Sequence, residues 1–113
     1  MPDGYTRVRR GEKRPIYGQT TMATGTLTIA ASPAPIVTVY DGTGAAVAGM
    51  SALAVTGYDA GVQSAPRVWM NLDATGLATG FYTVVFTFTA TAVDGLTRIY
   101  TPTIEVQVLD MLA

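Results

Sequence analysis

From residue 21 onward the chain alternates apolar and polar positions with a period of two. TLTIA at 26–30 sets Leu27 and Ile29 on one side and Thr26, Thr28 and Ala30 on the other, as in a strand with one face against a core. The pattern is strongest after Gly80, where Tyr82, Val84, Phe86 and Phe88 share one parity and Thr83, Val85, Thr87 and Thr89 the other. Asp94-Gly95 follows, a residue pair suited to the twist of a hairpin turn. The return segment TPTIEVQV at 101–108 places Ile104, Val106 and Val108 on one face and Thr103, Glu105 and Gln107 on the other. This hairpin is the expected spine of the core.

Between these segments the signals are shorter. SPAP at 32–35 interrupts pairing, because Pro33 and Pro35 carry no ladder donor and bias their predecessors away from helix. IVTVYDGTGAAV predicts a strand over 36–40 and a turn over DGTG. ALAVTGY at 52–58 alternates weakly and ends in the loop DAGVQSAP, after which RVWMNLD predicts a strand holding the single Trp. Trp69 and Leu53 fit either face, so the register is open there. No window keeps a helical period, since Gly, Pro and β-branched residues recur throughout. Strand signals arrive every 8 to 14 residues or so, the spacing of an all-β sandwich of about seven strands. Leu77-Ala78-Thr79-Gly80-Phe81-Tyr82 has the form L-x-x-G-x-Y and resembles the tyrosine corner of immunoglobulin-like sandwiches. The expected fold class is therefore an immunoglobulin-like antiparallel β-sandwich, with Gly80, Tyr82, Asp94 and Gly95 in structural roles. Phe81, of opposite parity, is expected outside.

Composition narrows the chemistry. At 113 residues the chain suits one core. It has no Cys and no His, so disulfides, thiolate sites, the commonest general base and the commonest transition-metal ligand are all missing. Eight carboxylates remain, scattered along the chain. Asp41 in DGTG, with Asp59, Asp73 and Asp94, are conceivable calcium ligands, but each sits beside a turn whose backbone its side chain can bond, and the turn reading is preferred. Neither a G-x-S-x-G elbow nor a P-loop is present. The expectation is a non-enzyme without cofactor or metal. The first twenty residues lack the apolar stretch of a secretory signal, and no run of about 20 apolar residues occurs, so a soluble, non-exported chain away from membranes is expected.

Charge is distributed unevenly. Arg7, Arg9, Arg10, Lys13 and Arg14 against Asp3 and Glu12 leave the first fourteen residues at +3, while the rest of the chain stands at −4. A basic block of this kind is a solvated tail, a nucleic-acid contact, or a docking segment for another protein. Nucleic acid is disfavoured because five charges come without a stacking platform. Docking is preferred, because Arg7, Arg9, Arg10, Lys13 and Arg14 combine with Ile16 and Tyr17 as donors beside apolar anchors. On this reading residues 1–19 are an extended basic arm or first edge strand, and residues 20–113 are the sandwich. Deletion of 1–19 is then expected to leave a folded domain that no longer docks.

Several motifs together resemble a family of tailed-bacteriophage virion domains, the immunoglobulin-like type at the N-terminus of baseplate upper proteins. The matching pieces are Arg10-Gly11-Glu12, DGTGAAV at 41–47, Gly80-Phe81-Tyr82, Asp94-Gly95 and TPTIEVQV at 101–108. TTMATGTLTIAASPAP at 20–35 is longer than that pattern expects, which leaves strand order open. The resemblance implies a structural protein of the virion, made in the host cytoplasm and present in many symmetric copies. Its implied partners are capsid or tail subunits and copies of itself, as a capsid decoration protein, at the head-tail junction, or in the tail. The alternative is a host-recognition or carbohydrate-binding sandwich, with Trp69, Tyr58 and Tyr40 available to stack on sugar rings.

Overall fold

The computed structural model describes residues 4–19, 26–30, 34–59, 61–63, 66–92 and 95–109. Pro33 and Asp94 therefore lie outside the described residues. The described chain is all-β, and its strands in order are β1 Gly4–Arg9, β2 Lys13–Gln19, β3 Leu27–Ile29, β4 Ile36–Tyr40, β5 Leu53–Ala54, β6 Gly57–Tyr58, β7 Val62–Gln63, β8 Arg67–Asp73, β9 Gly80–Ala92, β10 Thr97–Tyr100 and β11 Thr103–Leu109. Two sheets face each other as a β-sandwich. One is long and built around β9; the other has three strands in the order β2-β8-β6.

The alternation read in the sequence is the alternation of burial. Along β9, Tyr82, Val84, Phe86, Phe88, Ala90 and Ala92 are buried, while Thr83, Val85, Thr87, Thr89 and Thr91 are only partly so. Thirteen residues at about 3.3 Å each give a strand of about 43 Å, which accounts for most of the molecule's 51 Å long axis. No other strand is long enough to pair with all of it, so its partners come in halves. On one side β11 covers Gly80–Val85 and β10 covers Phe88–Thr91. The register runs unbroken through Pro102, whose carbonyl accepts the Phe86 N–H at 3.0 Å, although proline has no N–H to return the second bond of that pair. On the other side β4 lies along Thr83–Thr87 and β3 along Ala90–Ala92, separated by the proline-interrupted segment before β4. Gly95 sits at φ +83° in the β9–β10 turn, where a side chain would be strained.

Opposite Phe86 in the short sheet stands Gly18. A Cβ built there would come within 2.5 Å of the Phe86 ring, so the sheets approach closely at this point only because position 18 has no side chain. The tyrosine corner is in place: the Tyr82 hydroxyl donates to the Ala78 carbonyl at 2.8 Å, and Phe81 on the outside is 51% exposed. Strand pairing departs from the expectation in one respect. Among the described residues every strand pair is antiparallel except β1 with β11, which is parallel (Gly4 opposite Ile104 through Arg9 opposite Leu109). The strand segments outnumber the seven expected because Pro102 divides one hairpin arm, β5, β6 and β7 are two-residue pairings, and the basic segment itself supplies two strands.

Candidate interaction surfaces at the basic end and on the short sheet

RVRRGEKR is a strand, a turn and a second strand. β1 runs along the margin of the long sheet, the chain reverses at Arg10-Gly11-Glu12, and β2 runs along the margin of the short sheet. The Glu12 N–H donates to the Arg9 carbonyl at 3.0 Å, and Gly11 at φ +86° fills the turn position that demands a left-handed backbone. Two further bonds tie the turn down, from Arg10 N–H to the Leu109 carbonyl and from Ala74 N–H to the Glu12 carbonyl, each 2.9 Å.

The outward edge of β1 is closed by side chains. Glu12 Oε1 accepts the Arg9 N–H at 3.0 Å, Glu12 Oε2 pairs with Arg14 Nη2 at 3.0 Å, and Arg14 Nη1 donates to the Arg7 carbonyl at 3.1 Å. The Arg9 amide, with Arg14 beside it, holds the Glu12 carboxyl below its ordinary range. An edge strand otherwise offers a row of backbone groups to any passing strand, and this clamp occupies two of them.

Of the residues expected to meet a partner, Arg7, Arg9, Arg10, Lys13, Arg14 and Tyr17 are exposed, and all lie on these two marginal strands and their turn. Ile16 is a correction. It is 1% exposed and belongs to the core, because its parity in β2 is that of Gly18, facing the long sheet. The removable arm needs the same correction. Val8 is also 1% exposed, and residues 4–19 pair with β11 and β8, so both sheets and the core incorporate this segment. Arg14 is engaged within the chain by the clamp.

The acidic turns are self-contained. Asp41 Oδ1 accepts the Thr43 hydroxyl at 2.6 Å, the Thr43 N–H at 2.9 Å and the Ala45 N–H at 3.2 Å; Asp73 Oδ1 accepts the Thr75 N–H at 3.0 Å. The Thr43 hydroxyl first, then these amides, hold Asp41 below the usual carboxylate range, and Thr75 does the same for Asp73. Asp59 Oδ2 pairs with Arg67 Nε at 3.1 Å, which lowers the carboxyl and raises the guanidinium. Asp41 and Asp73 are turn carboxylates as the sequence indicated, whereas Asp59 bonds not a local turn but Arg67 on β8, accepting its N–H at 3.2 Å as well as its Nε.

The three aromatics proposed as a sugar platform do not converge. Tyr58 packs against the core, and Tyr40 lies on β4 of the long sheet. Trp69 is on the outer face of the short sheet, partly exposed, and its neighbour there is Tyr17, with ring centroids 5.8 Å apart and planes inclined at 48°. On its other side Trp69 faces Gly57. A Cβ at that position would meet indole Cζ2 at 2.6 Å and Cε2 at 2.9 Å, so the indole occupies the space a side chain would fill. Arg67 stands with its Cζ 5.1 Å from the Tyr17 ring centroid. Strand pairing brings together residues 17, 57 and 69; periodicity gave the face of each strand but not its neighbour.

No family model matches the chain, and no curated protein matches it. Among solved structures it is similar to CopC from Methylosinus trichosporium OB3b, at 20% identity over 95% of this chain and 87% of that one, with a TM-score of 0.43. It is also similar to a family 123 glycoside hydrolase from Clostridium perfringens that hydrolyses glycolipid glycans. That match has 10% identity over 96% of this chain and 23% of the other, with a TM-score of 0.40. Neither likeness bears on function.

Proposed function

We propose that this chain is a non-enzymatic structural module of a tailed-phage particle that docks on neighbouring subunits through its basic end. The observation that carries the docking reading is the exposure of Arg7, Arg9, Arg10 and Lys13 together around the turn that joins the two sheets. Asp41, Asp59 and Asp73 meanwhile have local hydrogen-bond partners. A positive end on a chain that is otherwise net negative favours an acidic surface, including the body of another copy in a multi-copy array. The assignment to a virion rests on the motif resemblance, and the place in the particle, whether head surface, neck or tail, is part of the proposal.

Because residues 4–19 belong to the fold, the test reverses charge rather than deleting the segment. Arg9→Glu, Arg10→Glu and Lys13→Glu are combined in the full chain, and purified particles are analysed by mass spectrometry. The expected result is a variant with a near-native thermal transition that is missing from particles containing the parent protein. A parent protein absent from particles refutes the virion reading, and normal incorporation of the variant refutes docking through the basic end.

A further inference from the structure

The outer face of the short sheet carries a site independent of the basic end. Its centre is the cross-strand pair Tyr17 and Trp69, two inclined rings with adjoining apolar surfaces, Tyr17 being 45% exposed. Around them stand polar side chains able to hydrogen-bond. Asn71 is exposed next along β8 from Trp69, on the same face. Arg67 is held by Asp59 through Nε at 3.1 Å, an anchorage that orients the guanidinium beside Tyr17. Beyond Tyr17 an open cleft of about 460 Å³ lies between the margins of the two sheets, bounded by Tyr17, Gln19, Arg67, Tyr5 and Thr6.

The charges on this face cancel. Arg67 pairs with Asp59, and Lys13 lies opposite Asp73 in the β2–β8 register. At the ring pair itself a phosphate backbone or an acidic glycan therefore meets balanced charge, while beside the cleft Arg7 stands 6.0 Å from the Tyr5 ring centroid. A sugar ring suits what is present, since its C–H face is apolar and its rim is a ring of hydroxyls. Aromatic side chains supply area for the first, and amide, carboxylate and guanidinium groups serve the second. Gly57 contributes indirectly, by letting the indole rest over β6 where a side chain would displace it. We infer that this face binds a neutral oligosaccharide, one ring against Tyr17 and Trp69 and the next extending into the cleft beside Tyr5. The site does not depend on the docking proposal, although Tyr17 and Lys13 border both surfaces.

Trp69 is the only tryptophan, so its emission reports on this site alone. The full chain is applied to a glycan array and then titrated in solution with chitotriose, maltotriose and lactose while tryptophan fluorescence is followed. Binding to at least one neutral glycan with a saturable change in emission is expected, weakened tenfold or more by Tyr17→Ala; Trp69→Ala, which removes the fluorophore, is read on the array, where its signal should be lost. Because Trp69→Ala exposes the sheet, Tyr17→Ala serves as the deciding variant, with its thermal transition recorded alongside. Four results overturn the inference: no neutral glycan bound, binding confined to sialylated or uronic glycans, undiminished binding by a folded Tyr17→Ala, or tighter binding of single-stranded oligothymidine than of any glycan.

Discussion

Ile16 separates two accounts of the basic segment, and a single substitution tests between them. If residues 1–19 were an arm, Ile16 would be an exposed anchor and Ile16→Ala would leave the isolated domain's stability unchanged. In the structure the side chain is 1% exposed and sits in a core that includes Val8, Val68, Phe86 and Val108. Truncation to Ala removes buried methyl and methylene groups and leaves a cavity, at a cost of about 2–5 kcal/mol. At roughly 4 °C per kcal/mol for a domain of this size, the thermal midpoint should fall by about 8–20 °C. The assay is thermal unfolding followed by circular dichroism, with Tyr17→Ala, which lies on the opposite face of the same strand, as comparison at about 1 kcal/mol. A midpoint for Ile16→Ala within 2 °C of the parent would refute the buried placement. Deletion of residues 4–19 removes Val8 as well and exposes the edges of β11 and β8, so a cooperative transition should be lost altogether.

Other perturbations follow from the same packing and bonding. Gly18→Ala puts a methyl group 2.5 Å from the fully buried Phe86 ring, and overpacking of this kind should cost about 1–3 kcal/mol, seen as a lower urea midpoint; a neutral or stabilising effect would mean that the sheets can separate locally. Glu12→Ala removes the acceptor for the Arg9 amide, so hydrogen exchange at Arg9 should accelerate while amides of β9 stay protected, and unchanged exchange at Arg9 would show that the clamp does not close the edge. Glu12, Asp41, Asp59 and Asp73 all ionise below their ordinary values of 4.5 and 3.8. Each therefore contributes stability that is complete above that ordinary value and is lost as pH falls through the lower folded one. The thermal midpoint should be flat from pH 7 to about 5 and decline below about 4.5; a rise in stability on acidification would contradict these bonds.

The parts of the fold that were legible in the sequence are those governed by neighbours along the chain. Alternation in residues 80–92 and 103–108 is a local consequence of the pleat, so the buried face of β9 and β11 could be read directly. Turn chemistry is local too, as with Asp41 and its Thr43 and Ala45 partners, and the Tyr82–Ala78 bond spans only four residues. Ile16 obeys the same rule, yet the charge around it points to a partner anchor. Five basic residues within eight positions outweighed the period-two pattern of β2, in which Ile16 and Gly18 alternate with Pro15, Tyr17 and Gln19. Charge density marks solvent exposure for the side chains that carry it and says nothing about the residues between them.

The site illustrates the opposite limit. Its residues come from three strands separated by some forty and then twelve positions, and only the β2-β8-β6 pairing makes them adjacent. Parity placed Trp69 on one of two faces, but Tyr58 and Tyr40 were grouped with it because they too are aromatic, a criterion with no spatial content. What selects Tyr17 instead is register: Tyr17 opposite Trp69, and Trp69 opposite Gly57. Gly57 carried a usable signal. A glycine inside a strand costs entropy and leaves no side chain to pack, and it often marks close approach by another group. In GY at 57–58 that group is the indole of Trp69, and the same reasoning applied to Gly18 leads to Phe86. In both places a small residue on one strand records a large aromatic on its neighbour. Glycines at strand parity are therefore where a sequence of this class discloses its cross-strand and cross-sheet contacts.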